Sequence, residues 1–338
     1  MLRPVCTINI GENTFDFVTE ASFSSSWRLF TDTGEMTLPH KFTRDGKVVF
    51  VGDNNIFKKG DFVEVFAGYF PNKQKIYEGY LTKVKPSIPV ELTFEDAAWL
   101  LKQTNITIAF EKVTLKELLR ACLDEAISKA DDTLRDKLVK VKFEAVDAVL
   151  GTFRITNVNL VQVLEELQKT YGLTSYFRGH TLYVGLAYNA GGKKHVFTFP
   201  SSGEIPRLGL IISDDLEYLK EDEKRFKIKA ISMLEDNTKI EVEVGDPSGE
   251  TRTITKYNLN EKDLREAATR EAARLRYEGY RGTFYTFLEP FVKHGDEIEL
   301  ISPEQPEKNG VYYAEANDPE IGVNGSFQTI KLGAKVSV

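Results

Sequence analysis

The sequence predicts an α+β protein that is mostly β-structure, in which two similar small β-barrel domains flank an α+β insertion domain. Three observations support this fold class. Short alternating strands occupy both ends of the chain, helical periodicity occupies its middle, and one Gly-Asp phrase occurs in each β-rich region. The predicted domains cover residues 1–94, 95–190 and 191–338. A chain of 338 residues is long enough for two or three domains and a substantial core.

The first region reads as short antiparallel strands separated by turns. In its clearest strand, Phe62, Glu64 and Phe66 alternate with Val63 and Val65, which is typical of a strand with one buried face. Glycines recur between these runs and mark the turns. We therefore expect a small barrel or sandwich here.

The periodicity changes to helical after residue 94. Residues 95–102 predict a short helix, and residues 114–130 predict a long one, with Thr114 and Glu117 at the spacing of a capping box. Residues 158–171 predict another amphipathic helix that stops at Gly172. A hairpin turning near residues 178–180 follows, and NAGGKK at 189–194 predicts a flexible boundary.

Strands return after His195 and form the last predicted domain. The runs RFKIKAISML and KIEVEV flank a hairpin turn at residues 235–238. Residues 260–277 predict a third helix, capped by Asn260, whose narrow face of small residues suits close packing on a sheet. Four further strand patterns complete this domain, including TFYTFLEPF and DEIELI.

One short phrase occurs near both ends of the chain. GDFVEV stands at residues 60–65 and GDEIEL at residues 295–300, and each is followed by a turn, a glycine and a second strand. Gly79 and Gly310 are predicted to take comparable places in the two copies. Because the surroundings recur with the phrase, we interpret the pair as a duplicated β-module whose two copies should superimpose strand for strand.

The whole chain resembles the baseplate hub, or late-control-D-like, proteins of contractile-tailed phages and prophages. Four stretches carry the resemblance in the expected order. They are SSSWRLFTDTGEMTLP with the first Gly-Asp phrase, the helix-plus-hairpin segment at 155–186, the strand pair at 225–244, and the segment from 265 to 333 that contains the second phrase.

The resemblance implies a structural role in a tail. In that family two similar barrels per subunit flank an insertion, and three subunits form a ring that adapts the sixfold tail tube to a threefold spike. It implies a homotrimer that contacts tube and spike proteins, assembles in the bacterial cytoplasm and ends in the virion baseplate. As interface candidates we name the positions around the two turns, namely Lys58, Lys59, Asp61, Lys293, His294 and Asp296.

The net charge and the apolar content of the sequence restrict the kinds of partner that we expect. The net charge of -7 disfavours binding along a nucleic-acid backbone, and we expect no sequence-specific nucleic-acid binding. No stretch is apolar enough for a membrane anchor, so we expect a soluble protein without a signal peptide. Cys6 and Cys122 are far apart and predict two thiols in a reducing compartment.

The sequence predicts neither catalysis nor a cofactor or metal. Four histidines are scattered without ligand spacing, and the GGKKH stretch lacks the pattern of a phosphate-binding loop. Six acidic residues between 214 and 223 could serve a cell-wall-degrading enzyme, but a solvated loop or an interface rim is the favoured interpretation. A carbohydrate-binding module is a further alternative.

Aromatic residues cluster in the strand pattern TFYTFLEPF. Phe284, Tyr285, Phe287 and Phe291 could form a ligand platform, but aromatics at strand alternation more often belong to a core. The alternation leaves one aromatic set on the opposite face of the strand. We interpret that set as a candidate subunit contact.

Overall fold

The computed structural model describes most of the chain, namely residues 2–44, 47–51, 56–185, 192–220, 225–234, 238–275 and 278–336. Strands account for 53% of the chain and helices for 17%, so the predicted mostly-β class is confirmed. The chain divides into two compact units. The first comprises Met1–Trp99, Ala190–Leu216 and Gly282–Gly333, and the second comprises Leu100–Asn189, Glu217–Arg281 and Ala334–Val338.

The strands up to residue 159 are β1 (Pro4–Ile10), β2 (Asn13–Phe15), β3 (Glu20–Ser26), β4 (Thr33–Leu38), β5 (Lys41–Arg44), β6 (Lys47–Phe50), β7 (Phe62–Tyr69), β8 (Gln74–Lys85), β9 (Val90–Glu95), β10 (Asn105–Thr114), β11 (Lys142–Ala145) and β12 (Val149–Asn159).

The later strands are β13 (Thr174–Arg178), β14 (Thr181–Gly185), β15 (Lys194–Thr198), β16 (Ile211–Leu219), β17 (Phe226–Met233), β18 (Lys239–Gly245), β19 (Glu250–Tyr257), β20 (Gly279–Phe287), β21 (Glu297–Ile301), β22 (Gly310–Gly322) and β23 (Gly325–Lys335). The α-helices are α1 (Ala98–Leu101), α2 (Leu115–Lys129), α3 (Asp132–Leu138), α4 (Leu160–Tyr171) and α5 (Glu261–Leu275), and a short 3-10 helix covers Pro306–Lys308.

One large sheet contains both Gly-Asp phrases. Its 13 strands run in the order β16-β20-β23-β22-β3-β4-β9-β8-β7-β1-β2, with β21 on β22 and β15 on β21. The join between the two copies is the antiparallel pairing of β22 with β3, in which Ala316 lies opposite Ser26 and Ile321 opposite Ala21.

The two separate barrels predicted from the sequence are not confirmed. Within the described ranges, no sheet closes into a barrel. The physical reason is the pairing of β3 with β22, because it uses the strand edges along which either copy could otherwise close on itself. The three predicted domain ranges stay a prediction. The first compact unit joins parts of the first and last of these ranges, so it is discontinuous along the chain.

The first unit has a core made by the inward faces of its strands. The alternation predicted for residues 62–66 is confirmed, because Val63 and Val65 are fully buried while Phe62, Glu64 and Phe66 are half-buried. The same core takes in Leu288 and Ile321 from the C-terminal part of the chain. Apolar burial therefore connects the N-terminal and C-terminal segments as firmly as the strand pairing does.

The second unit contains the long helices. Helix α2 matches its predicted range, whereas α4 begins at Leu160, two residues after the predicted start, because Val158 and Asn159 still pair with β10. Thr114 and Glu117 form the predicted capping box of α2, and Asn159 forms another with Gln162 at the start of α4. Gly172 ends α4 in the left-handed conformation, with φ of 66°. The predicted hairpin is β13 and β14.

A separate part of the second unit is a three-stranded sheet covered by α5. Strand β17 lies between β18, which is antiparallel to it, and β19, which is parallel to it. Ile228, Ala230 and Val242 pack against the small-residue face of α5 at Leu264 and Ala268, so the predicted close packing of that helix is confirmed. The turn predicted at 235–238 lies mostly outside the described residues, but Leu234 N donates to Thr238 O at 3.0 Å.

Among the helices of the described ranges, none combines the length and the apolar character that a membrane crossing requires. Both cysteines are free thiols. Cys6 is partly exposed in the first unit, and Cys122 is buried on α2 in the second unit.

Candidate assembly site at the two Gly-Asp turns

The first Gly-Asp turn lies immediately before β7 and is hydrogen-bonded to strand β8. Gly60 has a φ of 89° and donates its N–H to Leu81 O at 2.7 Å, while Leu81 N donates to Asp61 O at 2.9 Å. Asp61 N donates to Lys58 O at 2.9 Å, and Lys58 N donates back to the Asp61 carboxylate at 2.7 Å. The glycine supplies the positive φ and the aspartate closes the turn with its side chain.

The second turn repeats this pattern atom for atom. Gly295 has a φ of 84° and donates to Ala314 O at 2.7 Å, while Ala314 N donates to Asp296 O at 2.8 Å. Asp296 N donates to Lys293 O at 3.0 Å, and Lys293 N donates to Asp296 Oδ2 at 2.9 Å. The two phrases are therefore one structural module used twice in the same unit.

The glycines downstream of the turns are not equivalent. Gly79 lies opposite Val63, two residues after the turn aspartate, whereas Gly310 lies opposite Leu300, four residues after it. The prediction that Gly79 and Gly310 occupy comparable places is thus wrong. Counted from the turn aspartate, the positions opposite the two glycines differ by two residues, which is one full period of the strand. Sequence spacing could not show this, because the connections between the paired strands differ in length.

A tyrosine next to each glycine explains the shift. Tyr77 precedes Gly79 by two residues and Tyr312 follows Gly310 by two residues, so the copies place glycine and tyrosine in exchanged positions. A Cβ atom on either glycine would lie 2.8 Å from the hydroxyl oxygen of its tyrosine. Each glycine therefore makes room for a buried tyrosine side chain on the same face of its strand.

The outer neighbours of the two copies also differ. Strand β1 pairs with β7 in the antiparallel direction, but β15 pairs with β21 in the parallel direction. The prediction that the copies superimpose strand for strand is wrong for this outer strand. Parallel pairing is possible here because the chain reaches β15 through a long excursion into the second unit.

Asp296 is bound more firmly than its counterpart in the first turn. Besides the Lys293 amide, its carboxylate accepts the Lys193 amide at 2.9 Å and lies 3.1 Å from His195 Nε2. Burial raises the pKa of Asp296, but the hydrogen bonds from His195, Lys293 and Lys193 outweigh it, so the pKa lies below its ordinary value.

The chain passes from the second unit to the first between Asn189 and Ala190, inside the predicted boundary segment, but the predicted flexibility does not hold at the end of that segment. Residues 189–191 of NAGGKK lie outside the described residues, but Lys193 is tied to Asp296 and Lys194 begins β15. The end of this segment is therefore part of the sheet and not a free linker.

The six predicted interface residues divide by exposure. Lys58, Lys59 and Lys293 are exposed and Asp61 is partly exposed, whereas His294 and Asp296 retain only 3% and 5% of their surface. Lys58 and Lys293 are available to a partner at equivalent places on the two turns, whereas the counterpart of Lys59 is the buried His294. The buried pair acts inside the fold. The interface itself stays a prediction.

The aromatic strand TFYTF places its side chains on two faces, as the alternation predicts. Phe284 is buried and contacts Phe197 with ring centroids 5.1 Å apart. On the opposite face, Phe327 stacks between Tyr285 and Phe287 with centroid distances of 5.2 Å and 5.5 Å. The sequence does not predict the contribution of Phe327, because its place depends on the pairing of β20 with β23.

Asp32 has an unusual ionisation in the same unit. Its carboxylate accepts the Ser25 hydroxyl at 2.6 Å and the Ser26 amide at 3.2 Å. Burial raises the pKa of Asp32 to about 7 against those two hydrogen bonds, and the nearby Asp318 carboxylate raises it further. This side chain therefore titrates near neutral pH in the folded protein.

The acidic stretch offers little chemistry in its described part. Asp214, Asp215 and Glu217 are exposed side chains of β16, while residues 221–223 lie outside the described residues. Within the described ranges, no three His, Cys, Asp or Glu side chains are grouped so that they could hold a metal ion. Exposed carboxylates along a strand suit a solvated rim better than a pair poised across a substrate.

Solved structures resemble the chain along its whole length. A tail protein from Neisseria meningitidis MC58 matches with a TM-score of 0.65 at 15% identity, over 99% of this chain and 97% of that one. The 43 kDa tail protein of prophage MuSo2 from Shewanella oneidensis matches with a TM-score of 0.61 at 12% identity, over 98% of both chains. The chain has the fold of phage tail proteins.

The tail-protein fold extends to a component of a type VI secretion system. The E. coli c3393 protein, which is similar in structure to T4 tail proteins gp27 and gp5, matches with a TM-score of 0.55 at 8% identity, over 98% of this chain and 77% of that one. No family model and no curated protein matches the sequence. The resemblance to phage and prophage tail proteins is therefore confirmed at the level of the fold.

Proposed function

We propose that the chain is a structural, non-enzymatic subunit of a phage or prophage tail baseplate hub, in which three copies form a ring. The ring would adapt a sixfold tail tube to a threefold spike, and both would be its partners. It would assemble in the bacterial cytoplasm and remain in the virion baseplate.

The repeated Gly-Asp turn carries this proposal. Two turns with the same hydrogen bonds lie in one unit, and exposed Lys58 in the first corresponds to exposed Lys293 in the second, so one chain offers two similar contact places. Three chains then offer six, which is the number that a sixfold tube requires. In this proposal the two related β-modules, predicted as barrels, supply quasi-equivalent contacts.

The size of the assembly tests the ring. We expect the purified protein, alone or mixed with its tube and spike proteins, to show a mass of three chains in light scattering. Electron micrographs should show threefold particles with a central opening. A single-chain mass under all these conditions, including with both partners present, would contradict the proposal.

Charge reversal tests the turns as contact places. Changing Lys58, Lys59 and Lys293 to glutamate should abolish ring or tail assembly, because opposite charges at the rim steer partners together. The fold should be unaffected, since all three side chains are exposed. Reversal of Lys83, an exposed lysine on β8 away from the turns, is the matched control. Normal assembly of the triple variant would show that the turns are not contact places in the ring.

The structural role can be separated from an enzymatic one. Purified protein incubated with peptidoglycan is expected to release no soluble fragments. Release that disappears on substituting Asp214 or Glu217 would favour a cell-wall-degrading enzyme and overturn this part of the proposal.

A further inference from the structure

A cleft of about 450 Å³ lies beside strand β1 in the first unit. Cys6 and Val18 line it on the side of β1 and the segment after β2, and Ile321 and Ser326 line it on the side of the β22–β23 hairpin. None of the interactions at the Gly-Asp turns involves it. Its volume falls in the range of ligand-binding pockets.

The backbone of β1 has an open edge in this cleft. Phe70 N donates to Arg3 O and Gly11 N donates to Phe62 O, so the odd-numbered residues of β1 direct their backbone groups towards β7. The even-numbered residues direct theirs the other way. On that side β2 pairs only with residues from Ile8 to Ile10. Among the described residues, Pro4 and Cys6 therefore have a strand beside them only on the β7 side.

Exposed apolar side chains occur in the segments that line or adjoin the cleft. Leu2 and Phe17 are each 38% exposed, Phe70 is 66% exposed, and Val323, which follows the cleft residue Gly322, is 80% exposed. Exposed apolar side chains of this size around an unpaired strand edge are a feature that proteins normally avoid unless a partner covers them.

The charges of the cleft favour an acidic partner. Lys73 donates to the Thr7 hydroxyl at 2.6 Å, and that hydroxyl donates to Asp16 at 2.7 Å, so Lys73 and Asp16 are balanced through one side chain. Arg3 lies 5.7 Å from the Phe70 ring centroid. Its guanidinium adds one positive charge to the lining.

We propose that this cleft binds an extended segment of a partner protein, with alternating apolar and acidic residues, as an added strand on the free edge of β1. The Cys6 N–H and C=O and the Pro4 C=O supply the main-chain bonds, the nearby exposed apolar side chains contact the apolar side chains of the segment, and Arg3 pairs with a carboxylate. The inference does not require the ring.

Cys6 provides a direct probe of occupancy, because it lines the cleft while Cys122, the other cysteine, is fully buried. The full chain would be labelled with a maleimide, and the labelling rate at Cys6 measured by mass spectrometry. Three capped hexapeptides would be added in turn. One alternates valine and glutamate, one alternates valine and lysine, and one is the glutamate peptide with a central proline.

The glutamate peptide is expected to protect Cys6. At about ten times its dissociation constant it should lower the labelling rate about tenfold, because only the empty cleft reacts. The lysine peptide and the proline peptide should protect far less, since one has the wrong charge and the other cannot complete the strand. Equal protection by the lysine peptide, or protection by none of the three, would overturn the proposal.

Variants of the cleft give an independent check. Arg3→Glu combined with Lys73→Glu should weaken protection by the glutamate peptide by about tenfold or more, whereas Lys83→Glu should not change it. Circular dichroism establishes that both variants are folded. Unchanged protection in the double variant would overturn the assigned charge, and protection of Cys6 by rising protein concentration alone would show that a second copy fills the cleft, which also overturns the proposal.

Discussion

At the scale of single residues, the two turn aspartates occupy equivalent positions in their turns, but their carboxylates make different numbers of contacts. Asp61 accepts one amide from its own turn, whereas Asp296 accepts amides from both Lys293 and Lys193 and contacts His195. The C-terminal turn therefore has the same geometry as the first and an additional role, which is to hold β15 to the sheet.

Replacing these aspartates should show the difference. We expect Asp61→Ala to lower the free energy of unfolding by about 1 kcal/mol and Asp296→Ala by about 2–4 kcal/mol, because the latter leaves buried donors without acceptors. Urea denaturation of both variants measures this, and Asp61→Ala serves as the matched control. Equal losses would contradict the role assigned to the Lys193 and His195 contacts.

The Asp296 contribution should also depend on pH. Its folded pKa lies below the unfolded value of about 3.9, so its stabilisation is present above that pH and is lost as pH falls through the folded pKa. The difference in unfolding free energy between wild type and Asp296→Asn should therefore shrink in acid.

The contribution of Asp32 to stability should depend on pH in the opposite direction. Its folded pKa of about 7 exceeds the unfolded value, so the folded protein binds the extra proton and its stability falls as pH rises from about 4 to about 7. Asp32→Asn keeps an acceptor for the Ser26 amide and removes the charge. We expect this variant to be more stable than wild type at pH 8 by about 1–2 kcal/mol. At pH 5 the difference in stability should be smaller.

Urea midpoints of wild type and Asp32→Asn across this pH range test the assignment. A difference between the two proteins that does not change with pH would show that Asp32 is ionised throughout.

At the scale of elements, the helix boundaries were the most predictable part of the fold. Thr114 with Glu117, and Gly172, are local signals whose hydrogen bonds lie within one turn of the helix, so they can be recognised from spacing alone. Helix α3 was missed, because its seven residues between polar segments show no clear apolar face.

Strand partners were much less predictable. Alternation identifies a strand and its buried face, but it does not say which strand lies beside it. The parallel pairs β15–β21 and β17–β19 and the join of β3 to β22 depend on contacts between residues far apart in sequence. The same limit applies to the candidate site, where the Gly-Asp phrases were found but the attachment of Lys193 and His195 to Asp296 was not.

Gly172 offers a test at this scale. An alanine there would need φ of 66° and would place its Cβ 2.7 Å from Thr255 Oγ1, whereas Gly203, with φ of 79°, has nothing within 4 Å. Gly203→Ala should cost about 1–2 kcal/mol for backbone conformation alone. Gly172→Ala should cost about 1–2 kcal/mol more, because the contact with Thr255 must also be relieved.

Hydrogen exchange of the amides in α4 and in the loop around residue 203 measures the two local losses separately. Equal losses would show that the contact between Gly172 and Thr255 is relieved without cost.

At the scale of the whole molecule, the first unit is assembled from three separated parts of the chain. Its central sheet therefore depends on contacts of very large sequence separation, and such contacts form late because long loops must close first. The second unit contains α2 and α4, whose helical contacts are local.

Pulsed hydrogen exchange during refolding should reveal this order. We expect amides of α2 to gain protection first, and amides of β3 to gain it only together with those of β22. Early protection of β3, before β22, would mean that the first unit folds without its C-terminal part.

The pairing of β3 with β22 has a consequence for synthesis on the ribosome. Residues 20–26 are synthesised almost 300 residues before the residues of β22 that pair with them, since Ser26 lies opposite Ala316 and Ala21 opposite Ile321. Throughout that interval the nascent chain carries an open strand edge that could capture another nascent copy of itself. Nascent copies of a protein that is proposed to form a ring thus expose unpaired strand edges on the same polysome, where they are close enough to pair with one another.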